Sequence, residues 1–146
     1  MTWRFIIVGK PVFSWAREAS DMYLERLRNH TKFEQVMIKD GPRKQVEVQL
    51  LAASEKSWRI VLDERGKTLG SMEMARWIES RQMMGVKCAS LIIGGAEGHS
   101  DALRRKADEI WSLSSLTLQH EVARVVLLEQ VYRAHTILRG EPYHRE

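Results

Sequence analysis

Apolar residues along this chain follow two rhythms in alternation. Short, near-continuous apolar runs suit strands covered on both faces of a parallel sheet, and the longer stretches between them place apolar residues three to four positions apart. Strands are predicted over about 3–9, 33–39, 58–63 and 89–94, with a fifth, short one near 116–118, and three of the five are such runs. The stretches predict helices over about 14–28, 44–54, 71–84, 101–112 and, longest, 120–138. Ser14, Ser71 and Ser100 stand where helix N-caps are expected. In the third helix Met74, Trp77, Ile78 and Met84 fall on one face, which is expected to be core. The last helix carries Val122, Val125, Val126, Glu129, Tyr132 and Arg133 around more than one side. Burial by the sheet and by a second subunit is therefore expected, and Glu129 needs Arg124, Arg133 or a ligand as partner. With no linker, repeat or low-complexity stretch, the pattern is that of one open α/β domain over 1–146.

Composition narrows this picture. A chain of 146 residues can bury a core without covalent staples. The single cysteine, Cys88, precludes an intrachain disulfide framework and a multi-cysteine zinc site, and its place before an apolar strand reads as a small near-core residue. His30, His99, His120, His135 and His144 show no ligand-like spacing, so no metal is expected. No apolar run approaches the ~20 residues that span a bilayer, and the opening run is too short and lacks a cleavage site for a signal peptide. A cytoplasmic protein without membrane contact is expected. The net charge of +4 is spread along the chain and fits a polyanion partner. Lys10, Arg17, Arg26, Arg28, Arg43 and Lys44 are the basic candidates for a surface facing such a polyanion.

Ligands of open α/β sheets collect beyond the carboxyl ends of the strands. Three segments fall there: Leu62-Asp63-Glu64, the glycine loop of Leu91-Ile92-Ile93-Gly94-Gly95-Ala96-Glu97-Gly98, and Ser112-Leu113-Ser114-Ser115-Leu116-Thr117-Leu118-Gln119. The glycine loop lets backbone approach a ligand, but it is neither a phosphate loop nor a dinucleotide fingerprint. The third segment alternates hydroxyls with leucines and could cradle an adenine through backbone hydrogen bonds and apolar contact. The final stretch, Arg139-Gly140-Glu141-Pro142-Tyr143-His144-Arg145-Glu146, gathers a phenol, an imidazole and a guanidinium behind a proline. Those groups can stack, exchange protons and hold phosphate, as chemistry on a nucleotide requires.

In this order, the glycine loop, Trp111 to Leu118, Glu129-Gln130-Val131-Tyr132-Arg133-Ala134 and terminal Pro142-Tyr143-His144-Arg145-Glu146 make the whole chain resemble the RlmH family. These are SPOUT-superfamily methyltransferases that modify a pseudouridine of large-subunit ribosomal RNA. The resemblance implies an α/β fold with a mostly parallel sheet, a C-terminal deep trefoil knot and a homodimer paired through it. It also implies S-adenosylmethionine as cofactor, contacted by Leu62, Gly95, Ser114, Ser115, Leu116, Thr117, Leu118 and Gln119, with Asp63 and Gly94 as neighbours. The chain has Ala96 and Gln119 where the family usually and often, respectively, has proline, and its 41–54 region is shorter than in many relatives.

The implied reaction is methylation of N3 of a pseudouridine in 23S ribosomal RNA, on the assembled ribosome. That nitrogen is a poor nucleophile until its proton leaves. His144 has a pKa range suited to taking it, with Glu129 or Glu97 as alternative bases or orienting groups. Arg133 and Arg145 suit phosphate or the base carbonyls, and Tyr143 can stack on the ring. The tail is expected to complete the active site of the partner chain. Other readings are a non-catalytic RNA- or ribosome-binding protein of this fold, a SPOUT enzyme with another RNA nucleotide as target, and a nucleotide-dependent oxidoreductase, which lacks its glycine fingerprint.

Overall fold

The computed structural model describes every residue except Ala96 and Glu146. Five strands and five helices alternate: β1 (Thr2–Val8), α1 (Ser14–Leu27), β2 (Phe33–Ile38), α2 (Arg43–Ala53), β3 (Trp58–Thr68), α3 (Ser71–Met83), β4 (Cys88–Ile93), α4 (Asp101–Arg105), β5 (Glu109–Ser112) and α5 (His120–Arg139). All strand pairs are parallel and the sheet order is β2-β1-β4-β3-β5. Alternation along each strand divides the core in two. Trp3, Phe5 and Ile7 of β1 with Leu91 and Ile93 of β4 face α1, α3 and α5, while Ile6, Val8 and Ile92 face α2 and α4 through Leu50 and Leu103. No helix among the described residues is long and apolar enough to cross a membrane.

Several sequence expectations are corrected. No strand forms near 116–118; β5 lies earlier, at Glu109–Ser112, and the expected helix over 101–112 ends at Arg105. Asp108 locks this register, because its carboxylate accepts the Arg59 N–H at 2.7 Å while its own N–H donates to the Arg59 carbonyl at 2.8 Å. Trp111 then turns inward and is 1% exposed. The third strand runs on to Thr68, but Leu62 and Lys67 both pair with Trp111, so the intervening residues bulge out of the ladder. Gly66 permits this: a Cβ there would lie 2.5 Å from the Ile110 backbone. Met84 is 62% exposed, not part of the Met74–Trp77–Ile78 face. Of the three serines, Ser100 caps its helix, accepting the Leu103 N–H at 3.1 Å, while Ser14 and Ser71 are already helical and follow Phe13 and Gly70 at the cap positions.

The amino end of the sheet is closed by hydrogen-bonded aromatics. The Trp3 indole donates to His135 Nε2 at 3.0 Å. Three further indoles donate to the Glu109 carboxylate, Trp58 and Trp77 at 2.7 Å and Trp111 at 3.2 Å. Cys88 is half-buried at the start of β4.

Candidate active site

A cavity of about 720 Å³ opens at the carboxyl ends of β3, β4 and β5 and at the first turn of α5. Its volume is in the range of small-molecule sites. Leu62, Asp63, Gly94, Gly95, Ser114, Leu116, Thr117, Leu118 and Gln119 all line it, so nearly every residue expected at the cofactor does; Ser115 does not and is exposed. Glu97 also lines it, whereas Ala96 lies outside the described residues. The 113–119 segment is a loop stiffened locally: Ser112 Oγ donates to the Ser114 carbonyl and the Leu116 N–H donates to Ser114 Oγ, each at 2.9 Å. Thr117 Oγ1 donates to Glu64 at 3.3 Å and ties this loop to the β3 bulge. At its end Gln119 caps α5, its side-chain oxygen accepting the N–H groups of Glu121 and Val122 at 2.8 and 3.1 Å. The residue that departs from the family's proline thus satisfies two of the helix's first N–H groups.

Sequence reasoning missed the polar floor. Arg104 donates to Asp63 Oδ2 at 3.0 Å and to the His99 carbonyl at 2.7 Å, and it pairs with Asp101. Arg43 donates to the same carbonyl at 2.9 Å. These contacts join residues 41 and 56 positions apart, for which no local pattern exists. The His99 ring fills the space beside Gly94, where a Cβ would come within 2.9 Å of it. Burial pushes this imidazole down to about 4, against a weaker opposing pull from Asp63. It is therefore neutral at pH 7, with a buried Nε2 that has no hydrogen-bond partner among the described residues.

The expected catalytic residues gather elsewhere, on the second half of α5. Arg133 donates to Glu129 Oε1 through Nε and Nη2 at 2.9 and 2.6 Å, and Tyr143 donates to the same oxygen at 3.1 Å. Gln130 Nε2 donates to the other oxygen, Glu129 Oε2, at 2.7 Å. Of the partners expected for Glu129, Arg133 is the one engaged; Arg124 instead donates to the Val8 carbonyl. Arg133 also lies 4.8 Å from the Tyr143 ring centre and donates to His144 Nδ1 at 3.1 Å. A guanidinium only donates, so Nδ1 is the acceptor in this bond. Burial, with help from neighbouring phenol and carboxylate groups, raises the Tyr143 hydroxyl and keeps it protonated. The bond to Glu129 raises Arg133. Arg145 is exposed, and Glu146 lies outside the described residues. The tail turns at Glu141, whose carboxylate meets His30 Nε2 at 3.1 Å.

None of these tail groups lines the cavity. His120 does, and Glu129 lies nine residues further along α5, about 14 Å at helical rise. One chain therefore holds both candidate parts and keeps them apart. Among the described residues no cluster of His, Cys, Asp and Glu could hold a metal ion.

The family model described as "Predicted SPOUT methyltransferase" matches residues 1–144. Ribosomal RNA large subunit methyltransferase H of Deinococcus radiodurans is 42% identical over 146 residues, covering 99% of each chain. The fold is similar to that of a probable methylase family protein from Haemophilus influenzae, at TM-score 0.61 and 9% identity over 99% of this chain and 70% of that one. It is also similar to a putative methyltransferase from Legionella pneumophila, solved with the bound cofactor SAM, at TM-score 0.50 and 13% identity over 92% and 66%. The class is thus that of the SPOUT methyltransferases, and within it the chain belongs to the ribosomal RNA large subunit methyltransferase H family.

Proposed function

We propose that the protein transfers a methyl group from S-adenosylmethionine to N3 of a pseudouridine in large-subunit ribosomal RNA, acting as a knotted homodimer on the assembled ribosome. The observation that carries this reading is the division just described: a ligand-sized cavity with a glycine wall, and a cluster of phenol, imidazole, guanidinium and carboxylate that its own chain cannot bring there. A second copy supplies the tail to the first copy's cavity.

The residues fit the cofactor. Gly94 and Gly95 leave backbone open on one wall, and Leu62, Leu116 and Leu118 offer apolar contact for an adenine on another. The polar floor of Asp63, Arg104 and Arg43 suits a zwitterionic amino-acid end. Bound there, the sulfonium supplies an electrophilic methyl group. The protein's tasks are then to place the base in line and to remove the N3 proton. Glu129 accepts from Arg133, Tyr143 and Gln130, which makes it an anchor for the tail. His144 can take a proton at Nδ1 once Arg133 is redirected, for instance to a phosphate or a base carbonyl of the RNA.

The test is labelled methyl transfer to ribosomes that lack the modification, followed by mapping of the labelled nucleotide. Label at a large-subunit pseudouridine supports the reading; cofactor binding without transfer, or label elsewhere, overturns it. The two-chain arrangement is tested by co-expressing a chain cut after residue 142 with a full-length Gly94→Val chain. Each alone is expected to be inactive, and the mixed dimer active.

A further inference from the structure

The tail leaves α5 through a clasp that lies outside the cavity. The helix stops where Gly140 turns left-handed, at φ 70°, and the Glu141 N–H donates back to the Thr136 carbonyl at 2.9 Å. Glu141, the first side chain past that turn, reaches the far end of α1. His30 Nε2 donates into its carboxylate, 3.1 Å from Oε1 and 3.2 Å from Oε2. Arg139 stands 3.7 Å from Oε1 and donates to the Asn29 carbonyl. His30 is itself held in place. Its backbone N–H donates to the Leu27 carbonyl at 2.9 Å, its Nδ1 faces the Arg26 carbonyl at 3.3 Å, and Thr31 beside it donates to the Met1 carbonyl at 3.0 Å. The imidazole is 6% exposed. It packs at right angles to Tyr132, with centroids 5.5 Å apart, and Tyr132 meets Tyr143 in the same manner at 4.8 Å. His30 thus meets the tail twice, directly at Glu141 and through the Tyr132 ring at Tyr143.

We propose that His30 is a positioning residue for methyl transfer, holding Glu141 so that Tyr143 and His144 leave the helix already aimed at the partner chain's cavity. This rests on the function proposed above. Pro142 follows Glu141 directly and has a fixed φ, so anchoring the Glu141 side chain restricts the residues beyond it. Glu129 and Arg133 then receive Tyr143 and His144. An unclasped tail would swing about Gly140, where no side chain restricts the backbone, and would have to be ordered anew at each encounter with RNA. A clasped tail has lost that freedom before the substrate arrives, and the gain appears in the turnover rate. An ion pair open to water on one side adds little to stability, so the clasp acts on geometry more than on folding.

The experiment compares kcat and KM of the full-length wild type, His30→Ala, Glu141→Ala and the double variant on ribosomes lacking the modification, with thermal unfolding alongside. Each single variant is expected to lower kcat about tenfold while KM for the cofactor stays within about twofold. The double variant is expected to lose no more than either single one, because both remove the same contact. Unchanged kcat in a folded His30→Ala protein, or losses that multiply in the double variant, overturns the proposal. Glu141→Ala, at the more exposed partner, carries the test if His30→Ala does not fold. The mixed dimer separates aiming from general damage. His30→Ala on the Gly94→Val chain, which donates the tail, is expected to cost about fivefold more than the same change on the chain cut after residue 142. Equal losses overturn the proposal. Failure of the proposed function reads differently, as no transfer by the wild type, and removes this proposal with it.

Discussion

At the amino end of the sheet the Trp3 indole donates to His135 and three more indoles converge on Glu109; at the carboxyl end His99 is buried with an Nε2 that has no partner among the described residues. The one end spends its indole N–H groups on internal acceptors, as a stable core requires. The other leaves a buried polar atom for something else to satisfy. Stability and ligand binding are therefore assigned to opposite ends of the same five strands, and α5 runs between them with a cavity at its first turn and the tail cluster along its second half.

This contrast can be broken at either end. The largest effect is expected from removing residues 143–146: methyl transfer should fall about a thousandfold or more, the scale of lost proton transfer and positioning, while the unfolding midpoint and cofactor affinity barely move. At the amino end the reverse is expected. Glu109→Ala strands three indole N–H groups and should cost about 4 kcal/mol in a denaturant titration followed by tryptophan fluorescence, while methyl transfer per folded molecule falls far less than on loss of the tail.

Acid sharpens the comparison, because one buried neutral histidine sits at each end. Burial pushes both His99 and His135 down to about 4. The unfolded chain binds these protons more readily, so the stability they contribute is present above about pH 6.5 and is lost as pH falls toward 4. The loss is up to roughly 3 kcal/mol per ring by pH 4. His135→Gln should flatten that part of the stability–pH profile without altering cofactor affinity. The smallest effect is expected at the cap of α5: Gln119→Ala should cost about 1 kcal/mol in thermal unfolding, accompanied by weaker cofactor binding because the capped turn lines the cavity.

Three strands, β1, β3 and β4, were legible as apolar runs because burial on both faces leaves little choice of residue, whereas the edge strand β2 was read from a mixed segment and is largely exposed. The fifth strand was not legible, since Leu103, Ala107 and Trp111 imitate helical spacing and only the Asp108–Arg59 exchange, across 49 residues, sets the register. The glycine loop could be located from its residues, but the cofactor role of 114–119 came from family resemblance; alone, that segment read as a strand. Arg104 beneath Asp63 had no sequence signal at all. Tail and cavity were each legible, while their separation along α5 needed coordinates.

The position of β1 bears on how the chain reaches this state. β1 pairs with β2 on one side, but on the other its neighbour is β4, with Thr2 opposite Cys88, and its first tryptophan is held by His135. A chain emerging from its amino terminus makes β1 early, yet the strand cannot be enclosed until more than half the sequence has followed. Contacts of such sequence separation slow folding and leave apolar surface exposed meanwhile. Burial of Trp3, followed by its fluorescence in refolding, should accordingly be among the last events and should coincide with docking of α5.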